Sequence, residues 1–421
     1  MLRGKIMEHI NIAFIGCGGM AGVHCASLGK LWKAGCRGFK AVAVCDIIES
    51  KAVDMSNKFK ESTGHTPAVY TDALTMFNNE KDLTTVLIAT PHSDHHISAC
   101  MAIEAGVNVL IEKPLGITIR AAKKIIECAK KHNILLHVAE NYRMDVNERA
   151  LHWAIKQGMI GTPRILNWVD TGERKWYWDW RDHIDLSGGA WTFDGGVHHS
   201  DLFQYNFGSI KRVTAVMKSY DNTRYAYYQS MSDYEQAKKD KRSAHFRKTR
   251  SLKPIDPATL SEPVEATVED TTAAILEFDS GVIGTWLVSR AAPGKEDRTN
   301  IIYGSEGAIV WGDGVYNNRQ EQVYTKESLA AAFLESLTSD EKEILFPYGI
   351  MDSLSIEWKQ HLDALGGIRP VEVTAEVGLN AMAVPIAIYE SAFSGEPVYI
   401  EDILNLKVEN YQKQINKIQQ L

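Results

Sequence analysis

The sequence predicts an α/β protein: a doubly wound parallel sheet in its first third, then a second α/β domain with a large, mostly antiparallel open sheet. Three observations lead there. Short apolar runs alternate with helical stretches from Ile12 to Val138, the pattern of parallel strands joined by crossover helices. A glycine-rich turn follows the first of those runs. From Arg164 onward strands dominate, alternating or β-branched and separated by Gly and Asp turns.

Ile12–Ile15 is long enough for one buried strand. Gly16, Gly18 and Ala21 then stand in G-x-G-x-x-G/A spacing. In that spacing the first glycine permits a tight turn and the second lets the main chain approach a pyrophosphate. The third small residue lets the new helix lie close to the strand. Main-chain N–H groups at the helix start, around Gly19 and Met20, would receive the phosphates. A plain strand-turn-helix corner can look the same, so the next strand matters. Ala41–Cys45 ends at Asp46, near the ~20-residue offset of an acid that binds the adenine ribose. Ile47 and Ile48 follow, with no nearby Arg for a 2′-phosphate, which favours NAD over NADP. The alternative for Asp46 is an exposed strand-end acid.

Further along, Ser50–Thr63 reads as a helix, Leu83–Thr90 as a strand, Ile97–Ala105 as a helix and Asn108–Ile111 as a strand. Ile119–His132 is an amphipathic helix and Ile134–Val138 a strand. Polar clusters fall at or just past the strand ends, where ligands bind in such sheets. Thr90, Pro91, His92, His95, Glu112, Lys113, Asn141 and Arg143 are therefore candidate cofactor contacts, beside Gly16, Gly18, Gly19, Met20, Ala21 and Asp46. The pattern changes near Met144, giving a cofactor domain over 1–143 and a substrate-binding and oligomerisation domain over 144–421. In the second, Arg149–Gln157 and Gly378–Phe393 read as helices. Arg164–Asp170, Val213–Lys218, Ala273–Phe278, Val282–Ser289, Thr299–Tyr303 and Ala308–Trp311 read as strands. Tyr225–Pro257 looks like an insertion whose basic run forms a solvated face, and Asn405–Leu421 reads as polar and peripheral.

At 421 residues the chain has room for two or three domains, and 45% hydrophobic with 24% charged residues is ordinary for a soluble globular protein. A net charge of −7 argues against nucleic acid as a partner. No apolar run approaches the ~20 residues of a membrane span, and Met1–His9 lacks the apolar core of a signal peptide. Six cysteines without disulfide or zinc spacing fit reduced thiols in the cytoplasm.

Three groups carry the chemistry. Pro114 biases Lys113 toward an extended backbone at a strand end, where a lysine can hydrogen-bond a substrate hydroxyl and burial can lower its pKa. The alternative is a surface lysine. Asp194 and His198 are four residues apart and share one side of a helix. The carboxylate would orient the imidazole, which takes and returns the proton that alcohol oxidation releases. A capping Asp194 and a core His198 are the bland alternatives. His198, His199 and Asp201 lack H-x-x-x-H spacing, so no metal is expected. Finally, five of ten tryptophans (Trp168, Trp176, Trp178, Trp180, Trp191) fall in one window, with Arg181 beside them. Flat faces beside polar groups suit a sugar, while the alternative is a strand packing its aromatic side into the core.

These ordered motifs resemble the glucose–fructose oxidoreductase / inositol dehydrogenase (Gfo/Idh/MocA) family. The match runs through Gly16-x-Gly18-x-x-Ala21, Asp46, Thr90-Pro91 with His95, Glu112-Lys113-Pro114, Asn141-Tyr142-Arg143, Trp180-Arg181 and Asp194-x-Gly196-x-His198. Glu269-Asp270 to Gly284 and Gly304–Gly307 extend it. The resemblance implies an N-terminal Rossmann domain and a C-terminal α/β domain whose open sheet often forms a dimer or tetramer face. It also implies NAD(P)-dependent redox at a carbon of a sugar, cyclitol or related polyol, with Lys113, Asp194 and His198 catalytic. Tyr142, Trp178, Trp180, Arg181, Trp191 and His199 are the candidate substrate contacts. Gly188-Gly189-Ala190 departs from the family's triple glycine, and the tryptophan run and the insertion are not general features. The expected activity is NAD-dependent oxidation of a secondary hydroxyl of a sugar, glycoside or cyclitol. The alternatives are a redox glycosidase and a non-catalytic regulator that binds NAD and sugar.

Overall fold

The computed structural model describes residues 9–227 and 261–421. Most of the anticipated Tyr225–Pro257 insertion lies outside the described residues. The N-terminal sheet has six strands: β1 (Ile10–Ile15), β2 (Phe39–Cys45), β3 (Ala68–Tyr70), β4 (Thr85–Ile88), β5 (Asn108–Glu112) and β6 (Leu136–Ala139). All pairs are parallel, in the order β3-β2-β1-β4-β5-β6. Helices cover both faces, so Val86–Ile88 and Val109–Ile111 have no exposure and read as continuous apolar runs. The strand order reverses between β1 and β4, and the crevice beyond their carboxyl ends is where such sheets hold ligands.

The expected Leu83–Thr90 strand is shorter than anticipated, and the helix after it begins at His95, two residues before Ile97. β3 and the helix Ala73–Asn79 were not anticipated. The first is a three-residue edge strand and the second a seven-residue helix, both too short to show a period.

Beyond β6 the chain builds a nine-stranded sheet from β7 (Pro163–Thr171), β8 (Ile210–Lys218), β11 (Thr271–Phe278), β12 (Ile283–Ser289), β13 (Ile301–Gly304), β14 (Gly307–Val310), β15 (Gly314–Asn317), β16 (Gln322–Thr325) and β17 (Val398–Tyr399). The sequence between β8 and β11 adds a separate hairpin of β9 (Thr223–Tyr227) and β10 (Ser261–Glu265). The large sheet is antiparallel throughout except for the β7–β12 pair. Helices Gly196–Phe207 and Ala375–Ser394 bury Phe203, Phe207, Val384 and Ile388 in one core with Trp168 and Trp286.

Two late segments return to earlier parts of the chain. Helix Ser353–Leu365 places Trp358, fully buried, in the N-terminal core. Its ring lies parallel to Phe14 at 6.0 Å, and its Nε1–H donates to His24 Nδ1 at 2.9 Å. The C-terminal stretch, expected to be peripheral, is instead anchored. Tyr411 N–H donates to Glu390 Oε2 at 2.9 Å, and Gln412 Oε1 accepts from Ile119 N–H at 2.8 Å. Its polar residues satisfy buried partners there. The six cysteines are all free thiols. Among the described residues no helix is long and apolar enough to cross a membrane.

Candidate active site

The turn after β1 is shaped for close main-chain packing. Gly16 has φ +86°, and a Cβ there would sit 2.6 Å from the Ala89 carbonyl oxygen, so only glycine fits. Gly18 caps the helix Gly19–Lys33, whose first turn carries no side-chain cap and no acid. A Cβ on Gly18 or Gly19 would meet nothing within 4 Å. The helix N-terminus therefore faces open ground with free N–H donors, a fit for a pyrophosphate. Met20 is partly exposed at its edge, and Ala21 is fully buried under it. At the end of β2, Asp46 accepts from Cys17 N–H at 2.8 Å and from Ile48 N–H at 2.9 Å. The carboxylate is pinned beside the turn with lone pairs left for ribose hydroxyls. These residues fit a dinucleotide.

Other anticipated cofactor contacts are occupied differently. His95 has no exposure, and its two ring nitrogens face the carbonyls of Thr90 (3.2 Å) and Pro114 (2.8 Å). It ties the loop after β4 to the one after β5, and burial pushes its pKa down to about 3. Glu112 is buried against His24 Nε2 at 2.7 Å. Arg143 is buried and bidentate to Asp201, with Nε donating to Oδ2 at 2.8 Å. His95, Glu112 and Arg143 are thus each held by partners within the protein. Thr90 and Pro91 stand just past the end of β4, and Asn141 donates to Ser353 Oγ at 2.7 Å.

Lys113 follows β5 directly and reaches across to the second half of the chain. Its Nζ donates to the Asp194 carbonyl at 2.6 Å and to Asp194 Oδ1 at 2.9 Å. Asp194 also meets Arg181 Nε at 3.1 Å and His92 Nε2 at 3.4 Å. Burial opposes the charge on Lys113, but Asp194 and Glu112 outweigh it and hold the ammonium above its ordinary pKa. This reverses the expectation that burial would lower it. Burial likewise opposes the Asp194 carboxylate, and Lys113 and Arg181 override it and hold its pKa well below the usual value. Asp194 contributes stability above its ordinary 3.8, lost as the pH falls through its lowered pKa. Lys113 contributes below its ordinary 10.5, lost as the pH rises through its raised one. The difference in urea midpoint between the wild type and D194N should therefore shrink as the pH falls below about 4, where the wild-type carboxylate becomes protonated, and be steady from about pH 5 to neutrality.

Asp194 does not orient His198, although the two are four residues apart. Gly195 separates the short helix Trp191–Asp194 from Gly196–Phe207, and both Asp194 oxygens are taken. The partner of His198 is Glu140, one residue past β6, whose Oε2 meets His198 Nδ1 at 2.5 Å. Tyr142 stacks on the imidazole with centroids 3.9 Å apart and planes 9° apart. Nε2 has no hydrogen-bond partner among the described residues. Sequence reasoning singled out Asn141, Tyr142 and Arg143 but gave the preceding Glu140 no role. Its position just past a strand end was the available signal.

The tryptophans form a wall beside this cluster. Trp180 meets His92 edge-on at 4.5 Å, and Trp178 stacks on Trp191 at 5.8 Å. The Arg181 guanidinium lies 4.2 Å from the Trp180 ring and 4.9 Å from Trp178. Trp191 Nε1–H donates to Asp170 Oδ2 at 2.9 Å, and Arg290 covers its ring at 4.7 Å. Trp168 is instead core. His199 packs among Trp168, Trp286 and Phe203, and burial pushes its pKa down to about 3. Its ring is only half-buried, so it packs against these aromatics as a neutral imidazole with an edge left accessible.

The family model of the GFO_IDH_MocA oxidoreductases for the NAD-binding Rossmann fold matches residues 10–140, and that for the C-terminal alpha/beta domain matches residues 153–400. The chain belongs to this family. Among curated GFO_IDH_MocA-like relatives, a levoglucosan dehydrogenase of Pseudarthrobacter phenanthrenivorans is 26% identical over 75% of this chain and 76% of its own. A D-glucoside 3-dehydrogenase of Escherichia coli is 24% identical over 68% and 73%. A solved levoglucosan dehydrogenase in complex with NADH has the same fold, with TM-score 0.69 and 21% identity over 93% of this chain and 99% of that one. NAD is accordingly the cofactor of this GFO_IDH_MocA member.

Proposed function

We propose that the protein is an NAD-dependent dehydrogenase acting on a secondary hydroxyl of a sugar, glycoside or cyclitol. The carrying observation is the convergence of a charged Lys113 with a His198 backed by Glu140, beyond the ends of β5 and β6. Bound NAD supplies the hydride acceptor. Two of the three Lys113 N–H donors go to Asp194, and the third is left to hold the reacting hydroxyl oxygen. His198 Nε2 takes the hydroxyl proton, and Glu140 at Nδ1 stabilises the imidazolium that forms. Asp194 keeps Lys113 cationic and in place. Trp178, Trp180 and Trp191 offer faces for sugar C–H groups, with Arg181 and Tyr142 at the rim. The names of the sugar dehydrogenases among its relatives support the substrate class.

A second reading is a redox glycosidase, which oxidises C3 transiently, eliminates the aglycone, hydrates and re-reduces. It needs a second proton carrier beside His198, and Tyr142, stacked on that ring and 40% exposed, favours it. One assay separates them: NAD with a panel of aryl glycosides and free sugars, following reduced nicotinamide and released phenol together. The dehydrogenase accumulates NADH without phenol. Phenol without net NADH establishes the glycosidase, and NAD binding with neither product leaves a regulator.

We also propose that the protein works in the cytoplasm as a homodimer or homotetramer. The self-association rests on a row of exposed apolar residues in register on one face of the large sheet, Ile283, Ile165 and Tyr303, with Ile275 and Val216 nearby, and the location on six cysteines that are all free thiols.

A further inference from the structure

Helix Ser353–Leu365 presents Ser353, Glu357 and His361 at four-residue spacing, one side of a helix. The two outer residues are bonded to the Rossmann half, Ser353 to Asn141 and His361 Nε2 to Thr85 Oγ1 at 2.7 Å. Glu357, between them, has no exposure, and neither carboxyl oxygen has a hydrogen-bond partner among the described residues. The Thr85 hydroxyl gives its proton to Asn108 O, so His361 donates from Nε2 and is left with a bare Nδ1, also buried and unpartnered. His137 of β6 stacks on His361 at 5.4 Å, and both of its ring nitrogens are likewise buried without a hydrogen-bond partner among the described residues, one of them carrying the ring proton.

Five polar atoms buried together without partners would cost several kcal/mol if dry, and internal water is how proteins meet such a demand. The charged groups acting on Glu357 are Glu112 and Glu140, past the ends of β5 and β6. Glu112 is itself held by His24 of the helix Gly19–Lys33 and lies next to Lys113, and Glu140 holds His198. A buried carboxyl facing two carboxylates and no cation of its own keeps its proton: burial first, then Glu112 and Glu140, hold the Glu357 pKa well above the ordinary carboxylate value.

We propose that Glu357, His361 and His137 line an internal water site through which the Glu357 carboxyl donates a hydrogen bond toward Glu140, making Glu357 a positioning residue for His198. A donor on Glu140 withdraws part of the negative charge felt at His198 Nδ1. It thereby keeps the imidazole a base that releases its proton after each turnover.

This builds on the role given to His198 above, but its test needs no substrate. The His198 imidazole pKa is read by NMR in the full-length protein for the wild type, E357Q and E357L, alongside the infrared carbonyl band of a protonated carboxyl at neutral pH. E357Q retains a donor and should leave the His198 pKa in place while removing one carboxyl's worth of the band, read as a wild type minus E357Q difference spectrum because buried Glu148 and Glu269 contribute to it as well. E357L removes the donor and should move the His198 pKa up by about half a unit or more. An unchanged pKa in E357L overturns the proposal. So does a downward shift in E357Q, which would mean that the wild-type residue is ionised. If E357L fails to fold, the wild type minus E357Q difference decides: no carboxyl band in it overturns the proposal, and a band in it sustains it.

Discussion

Replacing Lys113 by Met, or His198 by Ala, is expected to lower turnover by ~10²–10⁴ while NAD affinity stays within a few-fold. The two variants remove different things. K113M deletes the donor that would hold the hydroxyl oxygen, yet Asp194 keeps Arg181 and His92 as partners, so the site should remain assembled. H198A deletes the proton acceptor and leaves Glu140 facing space. Steady-state rates on whichever substrate the glycoside panel identifies, with NAD binding measured by titration, provide the check. Near-normal turnover in both variants would remove the mechanism. Loss of NAD binding would move these residues into the cofactor seat.

The second large effect concerns stability. R143A should cost about 3–5 kcal/mol in urea unfolding, because it strands the Asp201 carboxylate in the interior. Both side chains are at least nine-tenths buried and face each other as a fork, and no bulk water is at hand to take over. NAD affinity should be unchanged. A variant of normal stability with weakened NAD binding would restore Arg143 to the cofactor contacts where its sequence position suggested it belonged. The double variant R143M/D201L should lose less than the two single changes together, since nothing charged is left unpaired.

Arg143 illustrates what could be read from the chain alone. The local settings of Gly16, Gly18, Ala21, Asp46 and Lys113 were legible because each is defined by the few residues around it: a turn, a strand end, a following proline. Partners 58 residues apart were not. The Arg143–Asp201 and Glu140–His198 pairs form only when β6 and the helix Gly196–Phe207 meet, and no local pattern announces that. The Asp194–His198 inference failed for a related reason. Four-residue spacing puts two side chains on one side of a helix, but which neighbour each chooses depends on elements elsewhere, here Lys113 and Arg181. In the fold, long strands such as β7, β8 and β11 declared themselves by alternation. The short β14–β16 ladder, of which Ala308–Trp311 was anticipated, and the helices Lys326–Ser336 and Ser353–Leu365 were largely hidden in ordinary composition.

The return of Trp358 into the N-terminal core bears on how such an enzyme can move. A cleft between two halves invites the image of a clamshell that gapes to admit its ligands. Here the far half keeps a rivet through the near one, with the indole parallel to Phe14 and bonded to His24, directly beneath the Glu112 that neighbours Lys113. Swinging the halves apart would draw that ring out of its socket, at a cost of the order of the ~3–5 kcal/mol seen when a buried tryptophan is truncated. The two parts of the chain are thereby fastened to each other at the base of the cluster that holds Lys113, so a rigid floor is what this packing supplies.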